Sequence, residues 1–439
     1  MSGISFAESP AGDPAPEVLD GRIWIDGCWD FFHHGHAGAM LQARKLGTEL
    51  YVGVHSDDSI LENKGPTVMT FKERVAAVNA CRWVTRSIPD APYVTTLPWI
   101  SHYGCKYVVH GDDITSDSNG QDCYRYVKAA GRFKVVKRTP SISTTDLVGR
   151  MLLCTRTHFI KELDHLINDE EEKSDLEVKK SNDGVEIKKL LQEYSTDETG
   201  LNPGSTVWYW KPSIKAQRDG SRLEKGTFTS LTQNIPPKPG QRIVYVDGGF
   251  DLFSSGHIEF FRLVVEEEAK IAQNTGWYRK DSVLKRIAKT GMDYAPYYIV
   301  AGVHDDEVIN HWKGLNYPIM NILERGLCVL QCKYINSVLF GAPFIPSRVF
   351  LSMIPMGNPS AVYHGPTGFP ALNFDPYLAA KEMGIYREIS RHDFSDVTAS
   401  QICQRILKSR DVYEERQRIK NLKSINEDIA RNNLSSGEK

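Results

Sequence analysis

The sequence predicts an α/β fold made of two tandem units, each built on a mostly parallel sheet. Two observations carry this prediction. Strand-like and helical periods alternate along the first half of the chain, and an ordered series of motifs from that half returns in the second. Such alternation is typical of βαβ units, and a repeated series of motifs indicates an internal duplication. Ligands then bind beyond the carboxyl ends of the strands.

The first half interleaves strand-like runs with helical patterns. The runs occur near residues 23–25, 50–54, 107–109 and 133–136, and the helical patterns near residues 37–46, 71–81 and 124–130. Thr70 and Glu73 have the Thr-x-x-Glu spacing of a capping box, in which each residue's side chain accepts from the other's backbone N–H. We therefore expect a helix to begin at that point, and we give Glu73 mainly this structural role.

The second half repeats the motifs of the first half in the same order. Residues 247–257 match residues 26–36, and the matches continue through Lys64-Gly65 with Lys313-Gly314, Glu73-Arg74 with Glu324-Arg325, and His110-Gly111 with His364-Gly365. The second copy carries about 28 extra residues between the histidine and lysine motifs. We place them near residues 266–296, as an enlarged connection.

Composition suggests how the chain is divided. We predict a disordered leader at residues 1–20, a catalytic N-terminal domain (the first unit) at 21–160, a charged linker at 161–240 with a short helix near 185–194, a C-terminal domain with a degenerate site (the second unit) at 241–410, and a charged tail at 411–439. The leader lacks the basic start and apolar stretch of a signal peptide.

The overall composition argues against several classes of protein. Hydrophobic residues make up 41% and charged residues 25%, which is typical of a soluble globular protein. The net charge of −2 gives no global basic field for nucleic acid, and no apolar run approaches the roughly 20 residues of a membrane helix. The eight cysteines lack a Cys-x-x-Cys motif, so we interpret them as buried, reduced thiols of a cytoplasmic protein.

The segment His33-His34-Gly35-His36 joins a predicted strand to a predicted helix. Helix N-termini carry unpaired N–H groups and a partial positive charge, so they attract phosphate. Histidines there can hydrogen-bond phosphate oxygens as charge builds up during phosphoryl chemistry. His33 and His36 are therefore the first catalytic candidates. Ser254 stands in place of the first histidine in the second copy, which predicts an altered site there.

Two further motifs lie after predicted strands. Lys64 lies in a predicted loop before Gly65, from which a lysine can fold over a triphosphate. Asp112 and Asp113 follow His110-Gly111, and paired acids there can bind a metal or a cationic substrate. The alternative for these acids is a turn rich in Asp and Gly.

A third motif precedes the helical pattern at residues 147–153. Arg138 and the hydroxyls of Ser143, Thr144 and Thr145 form a candidate second phosphate site, because hydroxyls and N–H groups meet at a helix start. The alternative is a cluster of Ser and Thr that only caps the helix.

Together these motifs resemble the cytidylyltransferases, and among them the ethanolamine-phosphate cytidylyltransferase family, whose members have two such units in tandem. The resemblance covers roughly residues 22–153 and 242–407. The family's Arg-Thr-x-Gly-Ile-Ser-Thr motif is matched by residues 138–144, with Ser141 at the glycine position. The resemblance implies two Rossmann-like nucleotidyltransferase units. It also implies that CTP and phosphoethanolamine give CDP-ethanolamine and pyrophosphate, a step in phosphatidylethanolamine synthesis.

The resemblance also implies roles for individual residues. His33 and His36 contact the triphosphate, Lys64 bridges the reacting phosphates, and Mg²⁺ neutralises the pyrophosphate. Asp112 meets the ammonium of the amine, with Tyr93 packed beside it. The other nucleotide-binding candidates are Gly27, Cys28, Phe31, Gly35, His110, Arg138, Ser143, Thr144 and Thr145, and the other substrate-binding candidates are Asp30 and Asp113. No residue is predicted as a metal ligand.

Two alternative functions stay open at this point. A choline-phosphate cytidylyltransferase resembles one catalytic unit followed by a membrane-sensing amphipathic helix, whereas this chain has a second unit and no such helix. A non-catalytic, CTP-binding regulatory protein is the other alternative, and the intact first site argues against it. We expect CTP and phosphoethanolamine as partners, with no nucleic acid and no stable membrane insertion. We also expect the second unit to pack on the first, and the sequence leaves a homo-oligomer open.

Overall fold

The computed structural model describes residues 17–112, 115–139, 142–161, 163, 177–212, 226–366 and 372–411, although not the side chains of residues 177–183. Most of the predicted leader and tail therefore lies outside the described residues, as do Asp113 and Ser141. Within the described ranges, no helix is both long and apolar enough to cross a membrane.

The first unit is a parallel sheet with helices between its strands. Its strands are β1 (Leu19–Gly27), β2 (Glu49–Val54), β3 (Arg86–Pro89), β4 (Cys105–Gly111) and β5 (Phe133–Val136), and its helices are α1 (His34–Arg44), α2 (Asp57–Lys64), α3 (Phe71–Ala80), α4 (Leu97–His102), α5 (Arg125–Ala129) and α6 (Thr144–Leu153). The strands are hydrogen-bonded in the order β3-β2-β1-β4-β5. This order reverses direction between β1 and β4, which makes a crevice at their carboxyl ends.

The second unit repeats this order. Its strands are β8 (Arg242–Gly248), β9 (Tyr297–Val303), β10 (Ser337–Phe340), β11 (Ala361–His364) and β12 (Tyr386–Glu388), and its helices are α8 (Ser255–Asn274), α9 (Lys280–Thr290), α10 (Asp306–Lys313), α11 (Ile322–Leu330), α12 (Arg348–Met353), α13 (Leu378–Glu382) and α14 (Ala399–Lys408). The order β10-β9-β8-β11-β12 is that of the first sheet. The predicted α/β class with mostly parallel sheets is confirmed.

The extra residues of the second copy form helix. α8 has 20 residues where its counterpart α1 has 11, and α9 follows it with a further 11. Arg286 in α9 lies over the Trp277 ring at 4.1 Å and pairs with Asp293 at 2.6 Å, so the enlarged connection is folded back on itself.

The predicted linker interval contains more structure than a short helix. It holds α7 (Glu177–Tyr194), β6 (Thr206–Pro212) and β7 (Gly226–Ser230). β6 lies parallel to β10 and β7 lies antiparallel to β6, so both strands extend the second sheet. Val207 and Trp210 of β6 are fully buried. Burial of these apolar side chains stabilises β6 at this position, and the interval is therefore partly domain and not only a connection.

The two units contact each other through equivalent surfaces. α1 contacts α11, and its counterpart α8 contacts α3, the counterpart of α11. The backbone N–H of Arg82 donates to the carbonyl of Gln331, and that of Lys333 donates to the carbonyl of Ala80, each at 2.9 Å. Since each donor and acceptor has its counterpart across the contact, the units are related as in a two-fold dimer.

Candidate active site

The signature turn, residues 26–36, connects β1 to α1 and is organised by its two histidines. The N–H of Gly35 donates to Nδ1 of His33 at 3.1 Å, and the N–H of His33 donates to Nδ1 of His36 at 3.4 Å. This is a capping box made of histidines. In each neutral ring Nε2 then carries the proton, so both histidines have a donor for an anionic ligand. The helix begins at His34, earlier than the predicted residue 37.

Aromatic packing fixes the two rings. The His33 and His36 rings are stacked with centroids 4.0 Å apart, and the Trp29 ring meets His36 edge-on at 5.5 Å. Trp29 is itself held, because its indole N–H donates to the carbonyl of Gly53 at 2.7 Å. His33 is only 5% exposed. The histidines are therefore positioned before any ligand arrives.

The backbone of the signature turn is strained. Trp29 and Phe31 have φ values of 58° and 48°, a left-handed conformation that non-glycine residues seldom adopt. Gly35 has no room for a side chain, since a Cβ would lie 2.9 Å from the His33 ring and 3.0 Å from Ile142. A Cβ at Gly27 would lie 3.1 Å from the Trp29 ring. Both predicted glycines thus serve the shape of the turn.

Residues after β4 lie beside the signature turn. β4 pairs with β1 in parallel, with Val108 opposite Trp24, so Gly27 and Gly111 end neighbouring strands at the same edge. His110 is half-buried, and Asp112 follows the strand and is exposed. The structure therefore brings Asp112 and the histidine turn to the crevice between β1 and β4. Asp113 lies outside the described residues.

Lys64 is the last residue of α2 and not part of a loop, which corrects the prediction. Gly65 follows it with φ 93°, a conformation that suits glycine and ends the helix. Lys64 is exposed. The side-chain oxygen of Asn63 accepts from the N–H of Ser118 at 2.8 Å, so the end of α2 is tied to the segment after β4.

The predicted second phosphate motif lies against the signature turn. Arg138 follows β5 and is exposed. Ser143 caps α6, with its hydroxyl accepting from Asp146 N–H at 3.0 Å, and the hydroxyl of Thr144 donates to the carbonyl of Asp30 at 3.2 Å. The capping alternative is thus observed for Ser143. Phosphate binding by Arg138 and these hydroxyls, including the half-buried Thr145, stays a prediction.

Asp30, predicted to bind substrate, is held inside the protein. It is 3% exposed, and its carboxylate accepts from the N–H groups of Val68 and Met69 at 3.1 and 2.9 Å. Asp251, its counterpart in the second unit, accepts from two amides in the same manner. Since a unit with an altered site keeps this arrangement, it serves the turn's shape. A substrate contact for Asp30 stays a prediction.

The other predicted residues line the same edge. Phe31 is buried, and the carbonyl of Cys28 accepts from Arg74 at 2.6 Å. Tyr93 is half-buried, with its ring 5.1 Å from that of His55. Nδ1 of His55 lies 3.0 Å from the carbonyl of Ala91, and burial lowers the pKa of this histidine. The Tyr93 side of the crevice is therefore neutral and partly apolar.

Sequence reasoning missed two residues that support the turn. The carboxylate of Asp26 is buried and accepts from Trp24 at 2.6 Å, Thr95 at 2.5 Å and Tyr124 at 2.7 Å. Tyr194, from α7, donates its hydroxyl to the carbonyl of His34. The sequence did contain a signal for the role of Asp26, because an aspartate begins both copies of the repeated motif. Tyr194 had none, because 160 residues separate it from its acceptor.

A small cavity lies between the signature turn and its counterpart, the second turn (residues 247–257). Its lining is mostly aromatic and aliphatic, and it includes Phe32 and His33 from the first unit and Phe253 and Ser254 from the second. A triphosphate needs cationic and N–H partners. This cavity therefore belongs to the contact between the units, and the candidate site lies at the carboxyl edge of the sheet.

The second turn is closed by its own chain. The hydroxyl of Ser254 donates to the carbonyl of Val397 at 3.1 Å, and a Cβ at Gly256 would lie 2.7 Å from the same oxygen. His257 accepts from the N–H of Ser254 at 3.2 Å, and burial lowers its pKa to about 3. This histidine is therefore neutral, in a turn against which the carbonyl of Val397 lies.

The described residues hold no group of three or more His, Cys, Asp or Glu side chains that could bind a metal ion. Mg²⁺ often keeps several waters and binds through substrate phosphates with only one or two carboxylates. The donor set is therefore compatible with a Mg²⁺ ion that is held mainly by a triphosphate.

Comparison with known proteins agrees with this geometry. A family model described as Cytidylyltransferase-like matches residues 24–150. Ethanolamine-phosphate cytidylyltransferase of Dictyostelium discoideum is 37% identical over 412 residues, which cover 92% of this chain and 96% of that protein. The chain belongs to the ethanolamine-phosphate cytidylyltransferase family. The Mus musculus member is 36% identical over 421 residues, or 92% of this chain and 90% of that protein.

Relatives outside this family match less of the chain. Choline-phosphate cytidylyltransferase A of Homo sapiens is 36% identical over 151 residues, which cover 34% of this chain and 41% of that protein. Members of the ethanolamine-phosphate cytidylyltransferase family, in contrast, match across both units. The predicted family and the prediction that the protein is a nucleotidyltransferase enzyme are confirmed.

Proposed function

We propose that this protein transfers the cytidylyl group of CTP to phosphoethanolamine, which gives CDP-ethanolamine and pyrophosphate for phosphatidylethanolamine synthesis. One observation carries the proposal: relatives with this activity in their name match about nine-tenths of the chain, including both units. The geometry of the signature turn supports it, because two histidines at a helix N-terminus suit a triphosphate.

The reaction is an in-line displacement at phosphorus. A phosphate oxygen of phosphoethanolamine attacks the α-phosphorus of CTP, a new P–O bond forms, and the bond to the β-phosphate oxygen breaks to release pyrophosphate. No covalent intermediate with the protein is needed, so catalysis consists of positioning and of neutralising charge. Nε2–H of His33 and of His36 would donate to the phosphate oxygens on which charge develops.

The cationic side chains complete this part of the site. Lys64, exposed at the end of α2, would bridge the reacting phosphates. Arg138, with the hydroxyls of Ser143, Thr144 and Thr145, would hold the β- and γ-phosphates. Mg²⁺, when bound, would neutralise the pyrophosphate, and the triphosphate itself would supply most of its ligands.

Recognition of the amine is assigned to the end of β4. Asp112 is exposed at the crevice and would accept hydrogen bonds from the ammonium, with Asp113 beside it in sequence and Tyr93 as an aromatic neighbour. A primary ammonium donates three hydrogen bonds, whereas a trimethylammonium donates none. The site should therefore prefer phosphoethanolamine to phosphocholine.

The decisive experiment compares pyrophosphate release from CTP with each phosphoamine. We expect kcat/KM for phosphoethanolamine to exceed that for phosphocholine by at least about tenfold, the scale of lost hydrogen bonds to a charged group. Equal values would favour the choline alternative, and CTP binding without pyrophosphate release would favour the regulatory one. We also expect a cytoplasmic location, and light scattering of the purified protein would decide between a monomer and a homo-oligomer.

A further inference from the structure

Each unit contributes an arginine that pairs with a glutamate of the other unit. Arg405 of α14, in the second unit, donates to both carboxylate oxygens of Glu73 at 2.7 and 2.8 Å. Arg150 of α6, in the first unit, donates to both oxygens of Glu324 at 2.8 and 2.9 Å. Glu73 and Glu324 are the capping-box glutamates of α3 and α11. Each unit therefore holds the capping box of the other with a bidentate ion pair.

The contact made by Arg405 continues to the signature turn. The same side chain donates to the carbonyl of Val68 at 3.3 Å. The N–H groups of Val68 and Met69 donate to the buried carboxylate of Asp30, which lies in the turn three residues before His33. Arg405 is thus connected to the signature turn through hydrogen bonds on either side of Val68.

A second connection runs through the neighbour of Glu73. Arg74 is 1% exposed and donates to the carbonyl of Cys28 at 2.6 Å. Cys28 precedes Trp29 and Phe31, the two residues with left-handed backbone. Such a backbone is energetically unfavourable and persists only where its surroundings hold it. Residues 68–74 supply that support from both ends of the strained stretch.

We infer that Arg405 is a positioning residue for the active site of the first unit. By fixing residues 68–74, it holds the signature turn, and with it His33 and His36, in the geometry that the reaction needs. The inference rests on the proposed function. The second unit accordingly contributes to catalysis without contacting substrate, through a side chain that is 33% exposed against a carboxylate that is 5% exposed.

The reciprocal pair provides a matched control within the same molecule. Arg150 and Glu324 are 10% and 8% exposed, and the capping box that they hold leads, through Asp251, to the second turn. That turn carries Ser254 in place of the first histidine and is closed by Val397. The two ion pairs should therefore contribute similarly to the contact between the units, but only one of them should affect chemistry.

The test compares Glu73→Gln with Glu324→Gln in the full chain. Glutamine keeps a capping box but removes the charge that faces the arginine. We expect Glu73→Gln to lower kcat with CTP and phosphoethanolamine by about tenfold, since slight misplacement of catalytic groups is costly. Glu324→Gln should keep kcat within about twofold of the parent, because its network leads to a turn that carries no chemistry. Both variants should lower the melting temperature by similar amounts.

A second pair of variants keeps the test decisive if Glu73→Gln does not fold. Arg405→Lys retains the charge without the bidentate fork, and Arg405→Gln removes both. We expect kcat to fall in that order, with KM for CTP little changed. Equal kcat for Glu73→Gln and Glu324→Gln, or no loss in Arg405→Gln, in an active parent would overturn the positioning role alone. A parent that releases no pyrophosphate would overturn the proposed function, and the inference with it.

Discussion

The signature turn and the second turn share almost everything that shapes their backbone. Each has two non-glycine residues with positive φ, and each has a buried aspartate, Asp30 or Asp251, that accepts two backbone amides from the residues just before the N-cap of α3 or α11. Yet the residue that caps the helix is His33 in one and Ser254 in the other. Because serine caps the same geometry, the fold does not require a histidine there. The proposed function assigns its presence in the first unit to phosphate binding.

The turns also differ in what faces the glycine at the helix start. In the first unit the neighbour of Gly35 is a side chain, Ile142, whereas in the second the carbonyl of Val397 lies against Gly256 and receives the Ser254 hydroxyl. A backbone carbonyl repels phosphate, and it cannot move aside without moving the chain. Under the proposed function, we therefore expect the second turn to exclude the phosphate that binds at the first turn.

The largest expected effect is the difference in turnover between variants of His36 and His257, the histidines that follow these glycines. His36→Ala should lower turnover by on the order of 10²-fold or more, the scale of losing a donor to the transition state. His257→Ala should leave turnover near the parent value, because its turn has Ser254 in place of the first histidine and is closed by the carbonyl of Val397. Pyrophosphate release measured for both variants checks this. The reverse ranking would mean that catalysis resides in the second unit.

The aspartates that begin the two turns should respond differently to pH. Burial raises the pKa of Asp247 to about 7, and its main partner is the Tyr377 hydroxyl. Its folded state binds the proton more tightly than the unfolded state does, so this group lowers stability as pH rises from about 4 to about 7. Asp247→Asn should therefore gain stability over the parent by a few kcal/mol at pH 8 and by roughly a third of that at pH 5.

Asp26→Asn is the matched variant for this comparison. The Asp26 carboxylate accepts from three side-chain donors, whereas an amide has one acceptor oxygen and no charge, so the hydrogen bonds to a charged acceptor are lost. This variant should be less stable than the parent at both pH values. Urea unfolding at pH 5 and pH 8 measures all four differences, and a constant gain for Asp247→Asn across pH would contradict the assignment.

Alanine at the two helix-start glycines should give different kinds of loss. In Gly35→Ala the new methyl group meets two side chains, the His33 ring and Ile142, which can shift more readily than backbone, so we expect about a tenfold loss of kcat and a smaller loss of stability than in Gly256→Ala. In Gly256→Ala it meets the Val397 carbonyl, so we expect about 1–3 kcal/mol of destabilisation. Kinetics and melting of both variants test this, and an equal stability loss in both would remove the distinction.

The smallest expected effect concerns the amine. The second unit has Pro366 where the first has the exposed Asp112. Asp112→Asn should raise KM for phosphoethanolamine about fivefold, which corresponds to roughly 1 kcal/mol for an exposed charge pair. KM for CTP should not change. Equal effects on both substrates would exclude the amine role of Asp112.

Much of the fold was predictable because it is indicated by the local periodicity of apolar residues and by the repeated motifs. Strands β1, β2, β4 and β5, the duplication and the enlarged connection of the second unit follow from such signals, whereas β3, α2 and α4 are short and were not predicted. The start of α1 was placed three residues late, since Ser, Thr, Asp and Asn are the usual caps and a histidine capping box is not. Lys64 was assigned to a loop because Gly65 and Pro66 obscured the short helix that ends there.

The motifs of the candidate site were predictable from the sequence, but the contacts from distant residues that hold them in place were not. β6 was missed because its strand-like residues lie in an interval dominated by charged and turn-forming residues. The pair of Arg405 with Glu73 joins residues 332 positions apart, and each alone is an ordinary surface charge in a helical pattern. Periodicity carries no information on which side chains meet across such a distance. Only the packing of the two units decides it.

The strands added to the second sheet also affect solubility. β10 is a wholly buried Ser-Val-Leu-Phe segment, and without β6 it would stand at the edge of its sheet with unpaired N–H and C=O groups. An apolar edge of this kind recruits strands from other molecules and leads to aggregation. The outermost strand is instead β7, a short and largely exposed segment with two threonines and a serine. Removing residues 206–230 should therefore make the second unit aggregate before it loses its fold.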